Sequence, residues 1–269
     1  SGASAARAGD KQSRATAGGA HMGGTAVFGG SGRLGEQVVR HLAAQGPVRF
    51  AYFSKQAEAA ALVAALQAEG RQVAAEQVDV RDGAAVERFL DRADADFGLS
   101  AVVSANGAPF PVCPLYEAEE ADFRRIVEVD VFGTFHILGA ATRRLAARGG
   151  GAVVVFLTAA VMRTAIYDGM SSISKTAVAG MIRQMARDAG PLNVRVNGIA
   201  PGVVDTDKLA DISALPPYKR KLVETFIADT PLPRLNNPQT IAALAAFLTT
   251  PVAADISGQI IGTDGGYSA

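Results

Sequence analysis

"VFGGSGRLGEQVV", Val27 to Val39, is the stretch on which the fold turns. Glycines 30, 32 and 35 satisfy GxGxxG directly after the apolar run "TAVFG" (Thr25 to Gly29), and the segment opens a stretch of helical period from Arg33 to Gln45. A strand, a tight glycine turn and a helix in that order form the context in which the pattern signals dinucleotide binding. The turn needs residues without a Cβ, and the pyrophosphate needs bare backbone. The helix N-terminus adds unpaired N–H groups and a partial positive charge. A glycine-rich turn without a ligand is the alternative, and the alternating strand and helix periods around it argue against that.

Outward from the loop the alternation continues. Strand-like runs at Val48 to Phe53, Val73 to Val78, Ala101 to Ala105, Ala152 to Leu157 and Val194 to Ile199 are separated by helical patterns. These helices span Gln56 to Glu69, Ala84 to Arg92, Glu119 to about Ala147, and Ser171 to Asp188. Such βαβ repetition predicts one doubly wound parallel sheet. From Asp205 to Arg234 the pattern changes: prolines 216, 217, 231 and 233 punctuate short helical pieces, which read as a mobile lid over a single domain spanning 25–269. A helix from Pro238 to Leu248 and a short strand from Gly258 to Gly262 close the pattern.

Composition narrows the partner. With 26 basic and 26 acidic residues among 269, the chain has no field to gather nucleic acid or anionic lipid, which leaves a small molecule. The single cysteine, Cys113, excludes an internal disulfide and a cysteine-based zinc cluster, and His21, His41 and His136 lack metal-ligand spacing. Residues 1–24 are Ala, Gly and Ser with isolated charges, too polar for a secretory core. They are expected to be disordered, and "GAHM" reads as a cloning scar or part of a native flexible arm. No apolar run reaches the length of a membrane span, so the expected location is the cytoplasm.

The end of the second strand selects the dinucleotide, because an acidic residue there accepts hydrogen bonds from the ribose 2′-OH of NAD. Here the residues are Phe53, Ser54 and Lys55, with no carboxylate. Lys55, together with Arg33 of the glycine loop, suits a 2′-phosphate, and NADP(H) is expected in preference to NAD(H).

These segments resemble the short-chain dehydrogenase/reductase family over nearly everything from Thr25 to Ala269. Gly29 to Gly35 is similar to its TGxxGxxG loop, with Phe28 in the threonine place, and Ser31, Gly32, Arg33, Leu34 and Gly35 facing the phosphates. The "VDV" triplet puts Asp79 and Val80 where the family contacts adenine. "VVSANG" stands for the family's LVNNAG, with Ser104 and Ala105 replacing asparagines and Gly107 kept. "NGIAPGVVDT" matches the segment after the sixth strand, so the resemblance implies that Pro201, Gly202, Val204 and Thr206 line the nicotinamide and phosphates. It also implies a Rossmann fold with strand order 3-2-1-4-5-6-7.

The proton machinery departs from the family. Its Asn, Ser, Tyr and Lys fall by register on Asp130, Thr158, Ser171 and Lys175, and only the lysine is retained. The resemblance places Lys175 against the nicotinamide ribose. Thr158 keeps a hydroxyl for a carbonyl oxygen, and Asp130 is expected to preserve the helix irregularity that the family's Asn occupies. Ser171 is the deficit, since an alcohol is a far weaker acid than a phenol of pKa about 10 and is shorter by a ring. Tyr167 reads either as a substitute acid or as an aromatic pocket wall, and Asp168 as a cap or solvated residue. Dienoyl-CoA reductases of the family also carry serine in this place with a tyrosine elsewhere, but Ala160 stands at that tyrosine's spacing here.

The expectation is therefore an atypical NADPH-dependent reductase of a hydrophobic or conjugated carbonyl. Ser171, Tyr167, water or the substrate completes proton delivery. The rival is a non-catalytic NAD(P)-binding subunit or sensor paired with a complete paralogue. The helices containing "VFGTFHILGAA" and "TAVAGMIRQMA" are expected to pair two-fold in a homodimer or homotetramer.

Overall fold

The computed structural model of the chain describes residues 23–206, 209 and 211–269. The arm expected to be disordered lies outside these residues, save for its last two. Gly23 and Gly24 belong to the folded unit: Gly24 begins β1 (Gly24–Phe28), and its N–H donates to Gly98 O at 3.0 Å. A Cβ on Gly24 would stand 1.9 Å from the ring of Phe97, so the strand starts where only glycine fits.

Seven parallel strands form one sheet in the order β3-β2-β1-β4-β5-β6-β7. They are β1, β2 (Val48–Tyr52), β3 (Val73–Gln77), β4 (Leu99–Ser104), β5 (Gly151–Phe156), β6 (Val194–Pro201) and β7 (Ile260–Thr263). On β1, Ala26 and Phe28 face one core and Val27 the other, the strand alternation expected of a sheet buried on both sides. One core packs against α3 (Gly83–Phe97), α5 (Gly133–Ala147) and α6 (Gly169–Ala189); Phe28 meets Phe89 of α3 edge to face at 4.9 Å. The opposite core packs against α1 (Arg33–Ala43), α2 (Gln56–Ala68) and α8 (Pro238–Thr249).

Two elements differ from expectation. α3 runs to Phe97 instead of Arg92, capped by Asp82, whose carboxylate accepts from Ala84 N at 2.9 Å and Ala85 N at 3.1 Å, and stopped by Gly98 at φ 69°. The segment 205–234 contains a full helix, α7 (Pro217–Asp229), in place of short pieces, because Pro217 occupies the first turn and the next proline falls beyond the end. The long helix before β5 appears as α4 (Glu120–Ile126), a wider π-helical stretch from Val127 to Phe132, and α5.

Candidate active site

The sheet order reverses between β1 and β4, and the crevice beyond their carboxyl ends is where an open α/β sheet takes its ligand. Gly29, at φ 77°, turns the chain so closely past β4 that a Cβ would lie 2.6 Å from Ala105 O. A Cβ on Gly35 would lie 2.1 Å from Gly29 O, so α1 starts directly on the loop. At Gly32 a Cβ would meet nothing within 4 Å except Gly29 O at 3.1 Å, which leaves the outer side open. Gly32 caps α1 with no side-chain bond, and the first N–H groups of that helix face the opening free. This cradle fits a pyrophosphate.

Around it, Ser54 and Lys55 are exposed beyond β2, and neither Lys55 nor Arg33 makes an ion pair among the described residues. The Asp79 carboxylate is held by Arg81 (Nη2 to Oδ2 2.6 Å), which also lies 5.6 Å over the Phe53 ring. That bond, opposed by partial burial, keeps the carboxyl below its usual range. Sequence reading missed Arg81 as a third cation at this end of the sheet. Val80 is buried, and its carbonyl is met by the His136 ring at 2.9 Å.

Lys175 and Asp130 come together. The π-helical stretch turns Asp130 inward, where its Oδ1 accepts from Ala108 N at 3.2 Å and its Oδ2 from Ser174 Oγ at 3.0 Å. Lys175 Nζ lies 3.5 Å from Asp130 Oδ2 and donates to Asn106 O at 3.2 Å. Both side chains are buried, so each charge needs its partners. Asp130 is thus an engaged acceptor that orients the lysine. Gly107 passes close by: a Cβ there would be 3.8 Å from Asp130 Oδ1. Ser174 and Asn106 belong to this network and were not singled out from sequence; the spacing of Ser174 one helical turn after Ser171 was the available signal.

Next to this pair lies a cavity of about 200 Å³. Its floor is the end of β5, where Thr158 and Ala160 stand, and the first turn of α6 with Ser171. Gly202, after β6, is packed so tightly that a Cβ would be 2.1 Å from Phe226. Leu222 and Phe226 of α7 close one wall, with Phe110 and Tyr267 on the others. Val204 bridges to Asn236 beyond Pro201, and Thr206 O accepts from Leu209 N at 2.7 Å. Thr158 Oγ1 accepts weakly from Ala160 N at 3.3 Å, which leaves its hydroxyl proton available.

Tyr167 is not among the cavity-lining residues. It adopts φ 60°, uncommon for a residue with a bulky side chain, and its ring packs on Tyr218 of α7 at 4.9 Å. Its neighbour Asp168 takes the inward position. Asp168 is 9% exposed, lines the cavity, and occupies the N-cap position of α6 without capping it. Burial pushes its carboxyl up to about 7. The expectation of a cap or a solvated surface acid is corrected here: the carboxyl makes no bond to the helix N–H groups and is largely buried in the cavity lining.

Among known proteins, the family model described as enoyl-(acyl carrier protein) reductase matches residues 31–268. Cis-4-hydroxycyclohexanecarboxylate dehydrogenase of Sinomonas cyclohexanicum is 33% identical over 245 residues, 90% of this chain and 95% of its own. Versicolorin reductase of Emericella nidulans is 30% identical over 260 residues, 90% of this chain and 94% of its own. The solved structure of a short-chain dehydrogenase from Burkholderia cenocepacia in complex with NADP, 29% identical, superimposes with a TM-score of 0.82 over 93% of this chain and 99% of that one. With the crevice and the glycine cradle in place, the chain belongs to the short-chain dehydrogenase/reductase family of NAD(P)-dependent oxidoreductases.

Proposed function

We propose that the protein is an NADPH-dependent reductase of a hydrophobic or conjugated carbonyl compound, with a proton supply that does not use the family's tyrosine. The observation that carries this reading is the cavity, where apolar walls from Phe110, Leu222 and Phe226 face the hydroxyls of Thr158 and Ser171. An apolar acceptor thereby buries its body while its oxygen meets donors. The relative named versicolorin reductase supports the reductive direction.

In this reading the Ser31 to Gly35 backbone holds the phosphates, Asp79 and Val80 border the adenine, and Ala105, Gly107 and the Pro201 to Thr206 segment border the nicotinamide. Lys175, aimed by Asp130, Ser174 and Asn106, holds the ribose. A bound nicotinamide supplies hydride. Thr158 polarises the acceptor oxygen. Ser54, Lys55 and Arg33 favour a 2′-phosphate over a free hydroxyl, in keeping with the NADP of the Burkholderia relative. Exposed Phe132, Phe135 and Ile173 on the helices of the long segment and α6 suit a two-fold homo-oligomer, which light scattering at micromolar concentration tests.

The deciding experiment is NADPH oxidation by the purified protein against ketones, enones and polycyclic quinones. Turnover of at least one class is expected. The second reading, a non-catalytic NAD(P)-binding subunit or sensor, draws on the serine at 171 and the buried Lys175–Asp130 pair; it predicts NADPH binding with no turnover across the whole panel.

A further inference from the structure

Reduction of a carbonyl leaves an oxygen that must take a proton, and the cavity offers few groups able to give one. The hydroxyls of Thr158 and Ser171 are alcohols, too weakly acidic to release a proton outright at neutral pH. Tyr267 is committed elsewhere: its O–H donates to Thr164 O at 3.2 Å, and burial raises its pKa further. Tyr167 packs on Tyr218 outside the lining. Asp168 is, among the described residues, the one carboxyl that lines the cavity.

Its placement is unusual for its position. An aspartate before a helix ordinarily accepts from the N–H groups of the first turn. Asp168 makes no such bond and no other side-chain hydrogen bond among the described residues. It shares the cavity lining with apolar Ala165 and Phe226 and with the alcohols Thr158 and Ser171 instead.

The geometry points to Asp168 as the catalytic acid that hands the acceptor oxygen its proton, in place of the tyrosine the family uses; this rests on the reductase reading above. As the acceptor carbon gains hydride from the reduced nicotinamide, the carbonyl π pair moves onto oxygen. The Asp168 O–H bond breaks and the new O–H bond forms on the acceptor. The carboxylate left behind regains a proton from solvent through the cavity mouth before the next turnover.

A carboxyl at its ordinary value would be ionised at neutral pH and useless as a donor. Burial alone lifts Asp168 to about 7, which keeps the acid form populated. The titratable groups on the surrounding elements are otherwise engaged. On α6, Lys175 is held by Asp130. In the loop before α6, Arg163 stacks 4.6 Å over Tyr267 and pairs at 3.3 Å with Asp229 of α7. In the C-terminal segment, Asp264 accepts from Gly266 N and Ser268 N.

The test uses Asp168→Asn and Asp168→Glu beside the parent. With NADPH and whichever acceptor class turns over, the parent kcat is expected to fall about tenfold per pH unit above 7. Asp168→Asn loses a hundredfold or more at pH 6 with NADPH affinity unchanged, and Asp168→Glu recovers part of the rate with its own pH break. Two readouts need no turnover. Infrared difference titration should find one protonated carboxyl persisting to near pH 7 in the parent and missing in Asp168→Asn. Binding of 4-fluoroacetophenone, followed by fluorine NMR, should weaken above pH 7 in the parent and stay level in Asp168→Asn. If no acceptor turns over, the reductase reading fails, and these two readouts still decide whether Asp168 is a neutral-pH donor. Unchanged kcat in Asp168→Asn, or no carboxyl titrating above pH 5.5, overturns the proposal.

Discussion

The two halves of the crevice are built by different means. On the glycine-loop side the surface is backbone: Gly29, Gly32 and Gly35 make room, and the N-terminus of α1 has no side-chain cap. On the cavity side it is side chains from many separate elements, the end of β5, α6, α7, the segment after β6 and the C-terminal tail. By the register read from the sequence, the backbone side is expected to keep the family's pattern almost intact and the side-chain side to differ at three of four proton-handling positions. A backbone cradle tolerates few substitutions, because any Cβ collides within 3 Å at Gly29 or Gly35. A side-chain site can be rebuilt residue by residue while the sheet stays as it was.

Predictions that test this contrast run from the largest effect to the smallest. Asp168→Asn should stabilise the protein at pH 8 relative to pH 4. The folded value near 7 lies above the ordinary 3.8, so the stability tied to the protonated carboxyl is complete below about pH 4 and lost as pH rises through 7. The ceiling, at about 1.4 kcal/mol per unit, is about 4 kcal/mol above pH 7. Urea denaturation at both pH values measures it, and equal stabilities at pH 8 would place the carboxyl in water. Gly35→Ala should break the other half, weakening NADPH binding by roughly a hundredfold, or about 2.7 kcal/mol, by calorimetry. Retained affinity would mean that the loop is free to shift away from Gly29 O.

Lys175→Ala tests the seam between the halves: cofactor affinity and kcat/KM should fall together by about tenfold or more, since the ribose loses its cation. A fall in kcat alone would move the lysine into the proton path. Lys55→Ala should narrow a preference for NADPH over NADH that is expected to be about tenfold, or about 1.4 kcal/mol. Equal affinities in the parent would remove the 2′-phosphate assignment. The smallest change belongs to Ser171→Ala, within about threefold in kcat, because the hydroxyl has a carboxyl beside it in the same cavity. A hundredfold loss there would make the serine the proton carrier.

From the sequence alone, the strand and helix periods with GxGxxG determined the sheet, its winding and the crevice, because these depend on residue spacing and on the absence of Cβ atoms at fixed positions. The same local reading placed Lys175 one turn after Ser171 and found the missing carboxylate after β2. It failed where a proline-rich stretch hid α7, whose prolines fall at the helix start and beyond its end, the two places a helix accepts them. The helix irregularity expected at Asp130 is present as the π-helical stretch, but only the tertiary structure showed it setting Asp130 against Lys175, across 45 residues of chain. Only it decided between the adjacent Tyr167 and Asp168. In sequence the phenol reads as a substitute acid or an aromatic pocket wall, and the carboxylate as a cap or a solvated residue. Packing against Tyr218 takes the phenol out of the cavity, and burial beside Phe226 lets the carboxyl keep near neutral pH the proton that it would lose in water. Acidity at a site is set by what surrounds the group, and the surroundings come from elements far apart in the chain.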